Sequence, residues 1–377
     1  MEKAQLFIGI MSGTSLDGID VALCELSDTK CQVVATHFLA YPQNLKTQLL
    51  QLHIASSNEL ETAALTANKL ASLYADAVNE LLTKQSLTSG EIIAIGCHGQ
   101  TIRHRPELGF TLQIGNASLL AELTNITVVS DFRSRDIAAG GQGAPLVPAF
   151  HQAVFGSKNA NRALINIGGI ANITYLAKNA DDLNTGKILG FDSGPGNMLL
   201  DAWIKQHLGK DYDTDGAWAA TGKVIQSLLL QMLAEPYFAL PPPKSTGRDL
   251  FNDAWLNQFL AKENYRAEDV AHTLVALTAH TIQNALAQYC NDLDAVYLCG
   301  GGAHNALLAE HLKVMLSSDT KQTTSLATTA ELGVGVDWVE AAAFAWLAKQ
   351  TIDHKPGNLP VVTGAKGLRI LGAIYSA

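Results

Sequence analysis

The sequence predicts an α/β protein organised as two domains or as one large α/β unit. Its 377 residues exceed what one compact core usually holds. Short apolar or alternating runs, typical of strands, are interspersed with longer runs whose apolar residues recur at helical spacing. The layout of residues 6–23, a strand, a glycine turn and a second strand, returns at residues 163–176, which indicates an internal duplication.

The first element is a hairpin whose turn lies within residues 9–20. An apolar run leads into this turn and an alternating run leads out of it. Its glycines permit backbone angles closed to other residues, and Ser12, Thr14 and Ser15 place hydroxyl and N–H groups around one point. Such a concavity suits an anion, while an ordinary Gly/Ser hairpin turn is the alternative.

The rest of the first half alternates between strands and helices. A polar segment at 96–101 follows a buried strand, and ligands of open α/β sheets collect at such carboxyl ends. The predicted elements are strands at 31–39, 92–95 and 127–130 and a long helix at 58–84.

The second half begins after an abrupt change to Gly and Pro at residues 139–145, where we place a domain boundary. The first domain is predicted to comprise residues 1–138 and about 350–377, and the second residues 139–349. The elements predicted after the second hairpin are strands at 188–191, 295–299 and 370–374, helices at 198–207, 271–289 and 338–349, and a proline-rich loop at 241–248.

Composition excludes several classes of protein. The chain is 47% hydrophobic and 16% charged, with a net charge of -9, so we expect a folded, soluble protein that does not bind nucleic acid. The N-terminus lacks the layout of a signal peptide, and no apolar run is long enough to span a membrane. The five cysteines lack metal-finger spacing, so free thiols and a cytoplasmic location are expected.

Three glycine turns, near residues 12, 168 and 300, resemble those of the actin, hexokinase and sugar-kinase superfamily. In that superfamily two ribonuclease-H-like (actin-like ATPase) domains flank an ATP cleft. Five motifs in order resemble the anhydro-N-acetylmuramic acid kinase family over essentially the whole chain. They lie at residues 9–18, 96–101, 140–146, 166–172 and 191–197.

The resemblance implies an enzyme that converts 1,6-anhydro-N-acetylmuramic acid, ATP and water into N-acetylmuramic acid 6-phosphate and ADP, in the recycling of cell-wall sugar. It implies ATP and Mg²⁺ as cofactors and, by resemblance alone, a homodimer. Two alternatives are a sugar or acetate-type kinase of the same superfamily without ring opening, and a nucleotide-gated protein that binds a partner. A sugar-dependent release of ADP separates the second alternative from both kinases.

Asp192 is the candidate catalytic base, because it follows a strand in a Gly/Pro-rich turn that would expose it. The alternative is a helix N-cap, but the helix begins near Met198, so Asn197 suits that role better.

The resemblance assigns nucleotide binding to the three glycine turns. For the third turn, a tight connection that needs glycine for packing alone is the alternative. The cofactor-binding candidates are Ser12, Gly13, Thr14, Ser15, Leu16, Asp17, Gly18, Ile19, Gly168, Gly169, Gly300, Gly301, Gly302 and Asn305.

Magnesium has two candidate ligands, Asp17 and Asp192, both acting directly or through water. The superfamily often has an acidic residue just before the first turn, whereas this chain has Met11. For Asp17 the alternative is a carboxylate that accepts bonds from its own turn.

Four residues are candidates for the sugar. His98 and Gln100 match the family's sugar-side motif, although a lone histidine beside a strand is often a structural hydrogen-bonder. The lactyl carboxylate of the sugar requires a cation, for which Arg133 and Arg135 are available. Glu340 can accept hydrogen bonds from sugar or water, or be a solvated glutamate of a first helical turn.

Overall fold

The computed structural model describes two compact units. The first consists of the chain up to Phe155 together with Trp338–Ala377, and the second is Gly156–Asp337. The described residues are 5–13, 15–27, 30–179, 188–261, 263–317 and 324–377.

The first unit is built on a six-stranded sheet of order β13-β7-β4-β1-β2-β3. The first three strands form an antiparallel meander, β4 and β7 continue the sheet in parallel with β1, and β13 pairs antiparallel with β7. A separate hairpin joins β5 and β6. The strands are β1 Gln5–Met11, β2 Gly18–Leu26, β3 Cys31–Ala40, β4 Ile92–Cys97, β5 Gln100–Arg105, β6 Phe110–Ile114, β7 Val128–Ser130 and β13 Ala373–Tyr375.

Within its described residues the first unit has seven α-helices, and the apolar sides of the first three pack with the sheet in one hydrophobic core. This core forms because apolar residues recur along the long helix at intervals of three and four, as the sequence predicted. The helices are α1 Gln43–Leu52, α2 Glu59–Gln85, α3 Ala117–Thr124, α4 Ser134–Ala138, α5 Val147–Phe150, α11 Val339–Ile352 and α12 Pro360–Thr363.

The second unit repeats the order of the first with a five-stranded sheet, β10-β9-β8-β11-β12. Again the first three strands form an antiparallel meander and the next two run parallel to the first of them. The strands are β8 Arg162–Ile167, β9 Ile170–Leu176, β10 Ile188–Pro195, β11 Ala295–Cys299 and β12 Ser325–Thr328. The helices are α6 Met198–Leu208, α7 Gln226–Leu233, α8 Asp253–Leu260, α9 Ala267–Tyr289 and α10 Ala306–Ser317. The predicted α/β fold is confirmed, and both units have the strand order expected of a ribonuclease-H-like duplication.

The late helix α11 lies in the first unit, whereas the sequence had placed residues 338–349 in the second. Gly9 of β1 and Gly96 of β4 explain this position, because a Cβ at either glycine would overlap the backbone of α11 at Ala341 and Phe344. Two neighbouring strands therefore lack side chains where the helix backbone approaches the sheet.

The Gly/Pro segment 139–145 also lies in the first unit and is not a boundary there. The buried carboxylate of Asp136 accepts hydrogen bonds from the Gly143 amide, from Asn358 Nδ2 and from Thr363 Oγ1, each at 2.8 Å. Because these bonds join the segment to the C-terminal part of the chain, its glycines serve a tight turn, and the first unit continues to Phe155.

The five cysteines are free and buried, as expected. Across the described ranges, the structure has no helix long and apolar enough to cross a membrane.

Candidate functional site

Ser12, at the end of β1, uses its hydroxyl inside the first unit. This side chain is 1% exposed. Its Oγ lies 2.8 Å from Tyr74 Oη and donates to the carbonyl oxygen of Gly99 at 3.0 Å. The residue therefore joins the turn to α2 and to the end of β4, and its hydroxyl is not exposed for a phosphate.

The exposed part of the turn is formed by Ser15 and Asp17. Asp17 Oδ1 accepts from Ser15 Oγ at 2.8 Å and from the Gly18 amide at 3.0 Å. This is the turn-internal carboxylate that the sequence left open as an alternative, and it fixes the conformation of the turn.

The other residues assigned to this turn differ in exposure. Leu16 is buried and has a φ of 58°, an unusual conformation for a branched residue and one that reverses the chain tightly. Gly13 is half-buried, Ile19 is buried at the start of β2, and Thr14 lies outside the described residues.

Gln100, the first residue of β5, supports the turn from the separate two-stranded hairpin. The side chain is completely buried. Its Nε2 donates to the carbonyl oxygen of Gly13 at 3.0 Å, and Tyr41 Oη donates to its Oε1 at 3.3 Å. Gln100 thus sets the shape of the turn, a role for which the sequence offered no signal.

His98 and Arg133 form a pair in the first unit. Both Arg133 Nε and Nη2 lie close to His98 Nε2, at 3.2 and 2.9 Å, and Arg133 Nη1 donates to the carbonyl oxygen of Gly143 at 2.8 Å. The pKa of His98 is lowered to about 3, mainly by burial and to a smaller extent by the charge of Arg133. The imidazole is therefore neutral, and its Nε2 accepts a hydrogen bond from the guanidinium.

Glu340 acts on the same guanidinium. Burial lowers the pKa of Arg133 to about 10, and the attraction of Glu340 opposes this change. Arg133 is half-buried, whereas Arg135 is exposed. Three of the substrate candidates, His98, Arg133 and Glu340, therefore form one cluster, and Arg133 is the arginine that belongs to it.

Asp192 lies within β10 of the second unit, whereas the sequence predicts it in an exposing turn after that strand, and it is half-buried. Its Oδ2 accepts from the Thr246 amide at 3.0 Å. Burial raises the pKa of Asp192 to about 6, against the smaller lowering effects of the Thr246 N–H and the Lys244 charge. The group is thus ionised at neutral pH and close to the range of an effective general base.

The segment against Asp192 was predicted only as a loop. Lys244 Nζ donates to the carbonyl oxygens of Tyr237 and Phe238 at 3.3 and 3.1 Å and lies 4.8 Å from the centre of the Tyr237 ring. Burial lowers the pKa of Lys244, and the carboxylate of Asp192 opposes this change. A lysine and hydroxyl residues directly after three prolines were the one sequence signal for this environment.

The second hairpin turn, Gly168 and Gly169, binds the start of α6. Its two carbonyl oxygens accept from the amides of Gly196, Asn197 and Met198 at 2.8–3.2 Å. The Asn197 side chain donates to the carbonyl oxygen of Ile167 at 3.3 Å and makes no cap hydrogen bond, so the predicted side-chain N-cap is wrong. Gly169 is exposed.

The glycines of the third turn have different roles. A Cβ at Gly300, whose φ is 77°, or at Gly302 would overlap residues at the end of β8, so both glycines are required by packing. Gly301 is exposed, and a Cβ there would make only an ordinary contact, with Asn197 Nδ2 at 3.9 Å. Asn305 Oδ1 accepts from the Leu308 amide at 3.0 Å and caps α10.

Metal binding by the protein alone is not evident. In the described part of the chain, no group of three or more His, Cys, Asp or Glu side chains is arranged to hold a metal ion. Asp17 is an exposed carboxylate whose two hydrogen bonds both use Oδ1, so Oδ2 fits one water-mediated contact to Mg²⁺.

Comparison with known proteins gives a consistent result over the whole chain. A family model described as anhydro-N-acetylmuramic acid kinase matches residues 5–377. The anhydro-N-acetylmuramic acid kinase of Nitrosomonas europaea is 52% identical over 373 residues, covering 98% of this chain and 99% of that protein. The one of Nitrosospira multiformis is 51% identical over 377 residues, covering 100% of both.

Among solved structures, the activator of 2-hydroxyisocaproyl-CoA dehydratase from Clostridium difficile with bound ADPNP has a TM-score of 0.47 and 13% identity over 93% of this chain and 98% of that chain. That likeness is too low to support an assignment. The family model and the end-to-end relatives are sufficient: the chain belongs to the anhydro-N-acetylmuramic acid kinase family, and the protein is a kinase.

Proposed function

We propose that this kinase opens the ring of 1,6-anhydro-N-acetylmuramic acid with water and phosphorylates its O6 with ATP. The oxygen of water forms a bond to the anomeric carbon while the bond from that carbon to O6 breaks. O6 then forms a bond to the γ-phosphorus of ATP, and ADP leaves. One proton of the water stays on the new anomeric hydroxyl, and the other passes to a base and then to solvent.

The observation that carries this proposal is the environment of Asp192. A sugar kinase that only transfers a phosphoryl group must activate a sugar hydroxyl, whereas ring opening requires a base that takes a proton from water. Asp192 is ionised at neutral pH, is held at Oδ2 by the Thr246 amide, and has a pKa raised to about 6. A positioned base of this kind typically contributes about 10²–10⁴ in rate.

We assign phosphate binding to the exposed part of the first turn and to Gly169. Backbone N–H groups of a turn fixed by its own carboxylate can donate to an anion without further ordering. We assign Gly301 to adenosine, because its exposed backbone has room for a ligand. Mg²⁺, which we place near Asp17 through water, would neutralise charge on the β- and γ-phosphates when bound.

We assign the lactyl carboxylate to Arg133. A guanidinium carries five N–H donors, and Arg133 uses three contacts on His98 and Gly143. One N–H on each terminal nitrogen is left, the pair that binds a carboxylate in bidentate geometry. His98 orients the guanidinium, Glu340 balances its charge, and Gln100 acts through the turn.

The decisive experiment is turnover in ¹⁸O-labelled water. The label is expected at the anomeric oxygen of the product, with one ADP released per sugar. Phosphorylated sugar without label would show a kinase that does not open the ring. ADP release that does not depend on sugar would contradict a sugar kinase of either kind, with or without ring opening.

Asp192→Asn is expected to abolish turnover while retaining ATP binding. Asp201→Asn is the matched control, because burial and the charge of Asp211 raise the pKa of Asp201 to about 7 in the same unit, yet Asp201 has no assigned role. Wild-type turnover by Asp192→Asn would remove Asp192 from the mechanism.

We also propose that the enzyme acts in the cytoplasm, in the recycling of cell-wall sugar, as a homodimer. The free, buried thiols support a reducing compartment. Light scattering on the purified protein tests the dimer, since a monomer at micromolar concentration would contradict it.

A further inference from the structure

Asp192 lies where strand pairing is irregular. The register between β10 and β9 shifts between Asp192 and Gly194, and β10 is one of the two edge strands of its sheet. Bulges change the direction in which a side chain points, and an edge strand leaves half of its backbone groups without a strand partner. The sheet alone therefore does not fix this carboxylate.

A distant segment supplies the missing contacts. The Asp192 amide donates to the carbonyl oxygen of Lys244 at 3.1 Å, and Tyr237 Oη donates to the carbonyl oxygen of Asp192 at 2.9 Å. The Thr246 amide donates to Asp192 Oδ2 at 3.0 Å. Both backbone groups and one side-chain oxygen of Asp192 are thus held by one segment, residues 237–246, which we name the holding segment.

The Lys244 side chain closes the holding segment on itself. Its two hydrogen bonds to the carbonyl oxygens of Tyr237 and Phe238 connect the two ends of the segment, and its ammonium packs on the Tyr237 ring. The Tyr237 hydroxyl and the Thr246 amide are therefore fixed relative to each other. Among the described residues, no hydrogen bond to Asp192 Oδ1 is found, which leaves that oxygen for a ligand.

We infer that Tyr237 and Lys244 are positioning residues for the ring-opening reaction, which keep Asp192 Oδ2 on the Thr246 amide and Oδ1 directed at the attacking water. This inference rests on the proposed function. Neither residue needs to contact the sugar. A displacement of a reacting group by about 1 Å can cost 10²-fold in rate, so loss of one holding contact acts on kcat more than on substrate affinity.

Tyr237→Phe tests the inference by removing only the hydroxyl that holds Asp192. We expect kcat to fall about 10-fold or more, with KM for sugar and ATP within about twofold of wild type. The matched control is Tyr175→Phe, because Tyr175 Oη donates to the carbonyl oxygen of Asn291 at 2.8 Å in the same unit. The control is expected to lose similar stability and to keep wild-type kcat.

Lys244→Met and Lys244→Arg give a second measurement. The methionine variant is expected to lose kcat about as Tyr237→Phe does. Arginine also donates hydrogen bonds and packs a cation on an aromatic ring, so it is expected to restore most of the lost kcat. Equal kcat in Tyr237→Phe, Lys244→Met and wild type would overturn the inference while Asp192→Asn remained inactive. If Asp192→Asn itself turned over normally, both the proposed base and its holding segment would fail.

Discussion

Replacing Asp192 by asparagine should make the enzyme more stable at pH 8 while abolishing turnover. The exchange keeps the shape of the side chain and an oxygen that can accept from the Thr246 amide. It removes the negative charge, which is half-buried in the folded state and fully hydrated in the unfolded chain. The two consequences have opposite signs, so one variant tests both the energetics and the chemistry.

The magnitude follows from the shift in pKa. Burial raises the pKa of Asp192 from an ordinary 3.8 to about 6, and each unit corresponds to about 1.4 kcal/mol. The full shift would be about 3 kcal/mol, and its partial exposure reduces this to about 1–3 kcal/mol of unfolding free energy. Because the folded pKa is the higher one, the wild type loses this stability as the pH rises from about 4 through 6. The asparagine variant has no such charge and does not lose stability over this range. It should therefore be more stable than the wild type at pH 8 and equally stable below pH 4.

Urea unfolding at pH 8 and at pH 5 measures the first consequence, and a coupled assay of ADP release measures the second. The gain at pH 8 should exceed the gain at pH 5, and kcat should fall by about 10²–10⁴. The wild type should lose kcat/KM as the pH falls through about 6, whereas His98, with a pKa of about 3, adds no inflection above pH 5. A variant less stable than wild type at pH 8 would refute the account of the buried charge, whatever its activity.

Three further perturbations test other parts of the site. Arg133→Lys should raise KM for the sugar about 10-fold or more, because an ammonium cannot replace bidentate binding, and an unchanged KM in initial-rate assays would contradict that assignment. Gly300→Ala should unfold the protein, because its Cβ would overlap the end of β8, whereas Gly301→Ala should show a wild-type melting temperature by calorimetry. Ser12→Ala should lose about 1–3 kcal/mol in urea unfolding, because it leaves buried partners without their hydrogen bond, whereas exposed Ser15→Ala should change stability by less than about 0.5 kcal/mol.

The elements with strong local patterns were predicted well from the sequence. The strand at 295–299 has the predicted bounds, and the long helix, predicted at 58–84, is observed at Glu59–Gln85. Both predictions rest on the spacing of apolar residues within one continuous segment, which does not depend on contacts with distant parts of the chain. The layout of the two hairpins also indicated an internal duplication. In both observed sheets an antiparallel meander is followed by two parallel strands.

The division of the chain was harder to predict, because it depends on contacts between distant residues. Local composition marked residues 139–145 as a linker, since glycine and proline occur both in linkers and in tight turns. The buried Asp136, bonded to Asn358 and Thr363, decides between the two and lies more than 200 positions from these partners. The position of α11 was also hard to predict, because it depends on two glycines in strands far from the helix in sequence.

For the candidate base Asp192, the type of residue can be predicted from the local sequence, but the chemistry of its side chain depends on distant residues. Sequence identified Asp192 because an acidic residue after a strand, in a turn of small residues, is well placed for a ligand. Its pKa is raised by burial. Its orientation comes from residues 45 to 54 positions away, Tyr237 and Thr246, in a stretch whose composition indicates only a loop. A carboxylate in that same local sequence, but without the holding segment, would be free to turn on an edge strand. On the proposed mechanism, activation of water therefore depends on the contact between β10 and the holding segment. A chain that kept the motif but altered the segment would be expected to bind ATP and turn over slowly.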